Sequence, residues 1–248
     1  MDSERRGLMH ASVPTIGSTH PAGARLTHVE PRQIRLLVVD DHPAVRRGLV
    51  QLLEDQPDFD DVAVAATASS AVSRAESERF DVAVVDYHLG GRNGLWVCSK
   101  LKTLPRPPRV VIYSAYANDH LAASCVVADA DAVLNKGGLG SELCEAIRAV
   151  ARGRRVLPKI PRPMAEMLSR RLTDAELPIF VMLLGGIRRF EIRQALDLSK
   201  PELAAHEAAM LSKIEALPGE LRDPDARRGR IDLERLIPQH RADAGLSM

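Results

Sequence analysis

From Ile34 onward the chain alternates short apolar runs with amphipathic stretches, and this restricts the fold more than any other feature. The runs are IRLLVV (34–39), VAVA (62–65), VAVV (82–85), RVVIYS (109–114) and DAVL (131–134). Each is too short for an ordinary helix and nearly unbroken in apolar residues, as a strand covered on both faces requires. Val45, Leu49, Leu52 and Leu53 mark a helical face after the first run, with Pro43 suited to a first helical turn. Leu143, Ile147 and Val150 do the same after the fifth. Repeated βα units build a parallel sheet, so an α/β domain with five buried strands is expected. Right-handed crossovers place helices on both faces, and ligands then sit at the carboxyl ends of the strands.

Aromatic residues make up only 3% of the 248 residues, so the core has to be built from Leu, Val, Ile and Ala. A formal net charge of +1 advertises no nucleic-acid or membrane partner for the chain as a whole, so any such surface must be local. Cys98, Cys125 and Cys144 are widely spaced and form no metal-ligand pattern, which predicts reduced, buried thiols and cytoplasmic residence. No stretch has the roughly 18 uncharged apolar residues of a membrane span. Leu8 to Ile16 is interrupted by His10, Ser12 and Pro14, which argues against a secretory segment.

Residues 1–31 mix Ser, Thr, Gly, Pro, His and Arg without apolar periodicity and read as a flexible arm before a domain over 32–152. The basic, proline-rich run GRRVLPKIPRP opens a stretch, 153–169, that reads as a linker. Residues 170–217 carry three helical patterns. Thr173 and Glu176 have the spacing of a capping box, the pair Gly185 and Gly186 can stop a helix, and Asp197 to Lys200 makes a tight turn, which together predict an all-α helix-turn-helix. Residues 218–248 are read as a tail with a short apolar run at Leu233 to Ile237.

Asp40 and Asp41 follow the first strand and Asp86 the third, so a parallel sheet gathers three carboxylates at one edge. Like charges so close repel unless a cation sits among them. Mg²⁺ suits such a site, because it takes one or two carboxylates, keeps waters and leaves room for a phosphate oxygen. Ser114 ends the fourth strand and Lys136 lies beyond the fifth, adding a hydroxyl and an ammonium. A carboxylate nucleophile, a metal and two donors describe a phosphoryl-transfer site. Each Asp alone could be a turn or cap residue; the set at successive strand ends is poorly explained that way. His42 and His88 flank the site and read as surface loop residues, given the oxygen preference of Mg²⁺.

The motifs VVDDHP (38–43), DYHLGGRNG (86–94), YSA (113–115) and LNK (134–136) resemble those of the response-regulator receiver family over roughly Ile34 to Arg152. The resemblance implies a five-stranded, doubly wound, flavodoxin-like receiver domain in which Asp86 accepts a phosphoryl group from a sensor histidine kinase. It further implies that Asp40, Asp41, Asp86 and the backbone carbonyl of His88 serve Mg²⁺, that Ser114 hydrogen-bonds the phosphoryl group and that Lys136 ion-pairs with it. Two departures stand out. Gly90 and Gly91 occupy a position where the family usually has Pro, predicting a more mobile loop, and Val133 replaces a switch aromatic.

The segment from Leu172 to Leu217 resembles the LuxR/NarL-type helix-turn-helix in Leu172, Thr173, Glu176, Gly186, Glu191, Ile192, Leu196, Leu198, Ser199, His206 and Lys213. That likeness implies a phosphorylation-dependent homodimer bound to promoter DNA, with Arg188, Arg189, Arg193, Lys200, His206 and Lys213 as candidate DNA contacts. Where the family's third helix carries a Thr and a Lys, this chain has Glu202 and Ala204, and the segment lacks a basic surplus. The same residues therefore leave a second expectation open, a helix-turn-helix that binds a protein partner. Neither reading makes the chain an enzyme beyond loss of its own acyl phosphate.

Overall fold

The computed structural model describes residues 33–216. The expected arm at 1–31 and tail at 218–248 lie outside the described residues, as do Arg32 and Leu217 at the edges of the two expected domains. Strands β1 (Ile34–Val39), β2 (Phe59–Ala65), β3 (Val82–Asp86), β4 (Arg109–Ser114) and β5 (Ala132–Asn135) alternate with α1 (Pro43–Glu54), α2 (Ala68–Ser77), α3 (Gly94–Lys102), α4 (Asp119–Val127) and α5 (Gly140–Ala151). All strand pairs are parallel and the sheet order is β2-β1-β3-β4-β5. The α/β expectation is met, with two shifts. β2 begins three residues earlier than its apolar run, since Asp60 and Asp61 interrupt the pattern while Phe59 is buried. β5 starts at Ala132, one residue after its run begins, and the buried Asp131 carboxylate accepts from Lys102, Arg109 and the Val110 N–H.

Alternate strand residues serve opposite faces, which is why the runs are apolar throughout. Leu37, Val39, Ala83, Val85, Ile112 and Val133 pack with α2, α3 and α4. Leu36, Val38, Val82, Val84, Val111 and Leu134 pack with α1 and α5. Cys98, Cys125 and Cys144 are free and buried, as expected, and burial pushes the Cys98 thiol up to about 12.

The stretch expected as a linker is a packed element. Val156 forms a parallel bridge to Ala132, extending the sheet beyond β5, and α6 (Arg162–Ser169) follows. Its prolines mark a helix start, where a missing N–H costs nothing, and Met164, Met167 and Leu168 share one face. Then come α7 (Glu176–Leu184), α8 (Arg189–Leu196) and α9 (Lys200–Glu215). Both halves of the expected capping box form: Thr173 N–H donates to Glu176 at 2.8 Å, and Glu176 N–H donates to Thr173 Oγ1 at 3.3 Å. Pro178 falls in the first turn of α7, where its lost donor is harmless. The α8–α9 turn uses Asp197 in the left-handed region (φ 52°) and Ser199 as a cap.

Ile179, Phe180, Leu183, Ile192, Leu203, Met210 and Ile214 form a third core, completed by Ala123, Val126 and Val127 of α4. Helix α4 is therefore apolar on two sides, one against the sheet and one against α7 and α9. Among the described residues, no helix is long and apolar enough to cross a membrane.

Candidate phosphoacceptor site

Strands β1 and β3 are neighbours, so their carboxyl ends bring Asp40, Asp41 and Asp86 together with no special loop. Ligand-capable atoms of Asp40, Asp41, His42 and Asp86 all lie within 4.8 Å of one another. Asp40 and Asp86 are nearly fully buried, while the Asp41 side chain is 34% exposed and faces the opening. Lys136 enters from beyond β5, its Nζ 2.6 Å from Asp40 Oδ2 and 2.8 Å from Asp86 Oδ2. Burial alone would lower its pKa, but the bonds to the two carboxylates outweigh it and hold the ammonium above the ordinary lysine value. The Lys136 N–H donates to the Ser114 carbonyl at 2.8 Å, which fixes the end of β5 against the end of β4. Ser114 is fully buried and its Oγ accepts from the Tyr116 N–H at 3.1 Å.

The loop after β3 is tied to the site by its backbone. His88 N–H donates to Asp86 Oδ1 at 3.2 Å and Gly90 N–H donates to Asp41 Oδ2 at 3.0 Å. Proline at position 90 would lack that second donor, so the Gly90 N–H is available to tie the loop to Asp41. Gly94 is required for another reason: a Cβ there would stand 2.3 Å from the Asp86 carbonyl oxygen. Val133 is buried in the sheet core, with no switch aromatic in its place.

Two contacts beside the carboxylates were not read from the sequence. His42, read as a surface loop residue, places Nδ1 2.7 Å from Asp41 Oδ1. That oxygen is enclosed and accepts no hydrogen bond, so the contact is an ion pair only when the imidazole is protonated. Arg46, one turn into α1, donates to the Asp40 carbonyl at 2.5 Å. The position of His42 directly after the carboxylate pair was the available signal. Three carboxylates against one ammonium, with one oxygen unsatisfied, fit a hard divalent cation.

Several of the candidate DNA contacts are engaged within the protein. Arg189 binds Asp129 at 2.6 Å, Glu207 at 2.7 Å and the α4 carbonyls of Val126 and Val127. Arg193 donates to the Leu198 carbonyl and Lys213 pairs with buried Glu176. Arg188 is exposed but paired with Glu191, His206 is half-buried, and Lys200 is exposed at the start of α9.

A five-stranded parallel receiver fold carrying this carboxylate edge defines a class, and comparison with known proteins agrees. Residues 36–148 match the profile described as the response regulator receiver domain. Over 193 residues the chain is 29% identical to the DNA-binding transcriptional activator DevR/DosR of Mycobacterium tuberculosis, covering 73% of this chain and 88% of the relative. It is 28% identical over 200 residues to the nitrate/nitrite response regulator protein NarL of Escherichia coli, covering 76% and 92%. A solved LuxR-family two-component response regulator from Aurantimonas sp. SI85-9A1 is 31% identical, with a TM-score of 0.50 over 54% of this chain and 97% of that one. The chain belongs to the response-regulator family, of the NarL/LuxR type.

Proposed function

We propose that the chain is a phosphorylation-controlled, DNA-binding transcription regulator with Asp86 as its phosphoacceptor. The observation that carries this is the pairing of buried Asp86 with Lys136 at 2.8 Å, beside two further carboxylates. Asp40, Asp41, Asp86 and the His88 carbonyl would hold Mg²⁺, which when bound neutralises the carboxylates and the incoming phosphoryl oxygens. An Asp86 carboxylate oxygen attacks the phosphorus, the bond to the kinase histidine nitrogen breaks, and an acyl phosphate forms. Lys136 then turns from Asp86 to the new phosphoryl oxygens, and the Ser114 hydroxyl gives up its Tyr116 partner to donate to one of them. Lys136 and Ser114 are joined through the backbone, so both shifts pull on β4 and β5 and on α4 between them.

The partners of this reading are a sensor histidine kinase, promoter DNA and a second phosphorylated copy, all in the cytoplasm. DevR/DosR, named as DNA-binding, supports it over most of the chain's length. The chain acts as an acceptor, its only chemistry being hydrolysis of its own acyl phosphate. A second reading, a helix-turn-helix that binds a protein, is favoured by the internal engagement of Arg189, Arg193 and Lys213. Acetyl phosphate with Mg²⁺ should add one phosphoryl mass to the parent and none to Asp86→Asn. Equal labelling of both would overturn the acceptor assignment. Failure of the phosphorylated chain to retain any genomic fragment at low salt would remove the DNA reading and leave the second one.

A further inference from the structure

The helix-turn-helix is short of positive charge, yet the residues just before it are not. Between 172 and 216 the chain has five Lys or Arg against seven Asp or Glu. Between 152 and 171 it has seven basic residues against one acid, Glu166. Six of the seven are arginines, whose forked donors match phosphate oxygens. We infer that this segment, the strand-like extension through Val156 together with α6, is the surface that grips the phosphate backbone of duplex DNA. The inference rests on the DNA-binding reading and relocates its electrostatic contact.

Three observations carry it. Arg152, Arg154, Lys159, Arg162, Arg170 and Arg171 all lie on exposed residues. Of these, Arg162 has an ion-pair partner, Glu166, in an exposed helical pair worth little. The seventh, Arg155, is committed to Asp129 and the Ala130 carbonyl. Second, the segment is held in place: Val156 bridges to β5, and Leu157, Ile160, Met164, Met167 and Leu168 pack into the cores. Charges on an ordered backbone meet a phosphate array with less ordering cost than charges on a free linker. Third, every large apolar residue of the segment faces inward, which leaves nothing to insert into a bilayer, and the segment has no aromatic ring for stacking on unpaired bases. The regular phosphates of a duplex backbone are the anionic array that ordered, forked donors suit best.

The basic segment is exposed while α9 is packed on α4, so its contact with DNA does not require that packing to change.

The test is fluorescence anisotropy of a labelled duplex, with and without acetyl phosphate, over a range of salt. The proteins are the full chain, the variant Arg154→Gln/Lys159→Gln/Arg170→Gln/Arg171→Gln, and the control Arg188→Gln/Lys200→Gln. Each lost phosphate contact flattens the slope of log affinity against log salt by about 0.9, so the fourfold variant should lose roughly 3 to 4 units of slope and bind about 10- to 100-fold more weakly. The control should lose much less, and all three should take up phosphate equally. If the parent binds and the fourfold variant matches it, the inference fails while DNA control stands. If the parent binds no duplex, both fail. Tighter binding of the parent to phosphatidylserine vesicles than to duplex, lost in the fourfold variant, would overturn the inference in favour of a membrane.

Discussion

Two charge clusters, one at the carboxyl edge of the sheet and one at the carboxyl end of α4, are built differently. At the strand edge Lys136 serves Asp40 and Asp86, with Asp41 beside them, so negative charge is in surplus and one Asp41 oxygen has no hydrogen-bond donor. At the carboxyl end of α4, Arg189 and Arg155 meet Asp129 and Glu207, two cations for two anions, and the last carbonyls of α4 are also taken. The first cluster has room in its charge balance for a further cation; the second is matched charge for charge, although one Glu207 oxygen, like one of Asp41, accepts no hydrogen bond. An unbalanced buried cluster marks a place to bind something, and a balanced one marks a joint. Helix α4 packs on the sheet with one side and on α7 and α9 with the other, and the second cluster sits at its carboxyl end.

The largest expected effect comes from attacking α4 itself. Val127 is fully buried in the third core, and Val127→Asp would place an unpaired charge there at a cost of roughly 3 kcal/mol or more. Hydrogen exchange should show α9 amides losing protection while β1 and β3 keep theirs, and Asp86 should still label. Loss of protection throughout the sheet would mean that the two clusters are not separable.

Arg189→Ala strikes the balanced cluster. It leaves Asp129 and Glu207 facing each other and releases the Val126 and Val127 carbonyls, for a loss of about 2 kcal/mol in the urea midpoint analysis. Burial already pushes the Glu207 carboxyl above its usual range, with Arg189 the opposing influence. The double variant Arg189→Met/Glu207→Leu should recover most of the loss, since a well-packed apolar pair replaces a costly ionic one. No recovery would show that Arg189 matters for its bonds to the helix end alone.

Lys136→Met tests the surplus. With its one ammonium gone, the carboxylate edge should destabilise the fold by roughly 1 to 2 kcal/mol without Mg²⁺, and added Mg²⁺ should raise Tm more in the variant than in the parent. Because the folded pKa of Lys136 lies above 10.5, its contribution is intact below that pH and is lost as pH rises through the folded value. An alkaline melt that falls equally in parent and variant would remove Lys136 from the account.

The two clusters also differ in how far the sequence reveals them. Asp40, Asp41, Asp86, Ser114 and Lys136 are legible because they end strands, and a parallel sheet turns that position into proximity without tertiary detail. The knot is not legible, since Arg189 and Asp129 are 60 residues apart and meet only through the packing of α8 and α9 on α4. Arg189 read as a DNA contact because sequence shows a charge and not its partner. The α6 helix was hidden by Pro161 and Pro163, residues that break a helix interior but suit its first turn. Asp60 and Asp61 hid the start of β2 because its exposed residues are acidic.

The smallest effect lies in the joint between α7 and α9, where Glu176 is buried beside Lys213 at 2.5 Å and closes the Thr173 capping box. Burial raises its pKa, but the Lys213 bond and the Thr173 N–H and hydroxyl outweigh it, so the folded value lies below 4.5. A carboxyl depressed in the folded state contributes stability that is present above the unfolded pKa and lost as pH falls through the folded one. The third core should therefore loosen below pH 4.5, read as loss of α9 exchange protection, while the parent's behaviour near neutrality is unchanged. Glu176→Gln should flatten that acid limb, keeping the same pH dependence elsewhere, at a cost of about 1 kcal/mol at pH 7. If the acid limb of the variant is as steep as the parent's, another carboxylate governs the joint. Glu207 is ruled out in that role, because its raised pKa makes its charge a burden as pH rises, so its protonation at low pH would stabilise the packing of α9 on α4.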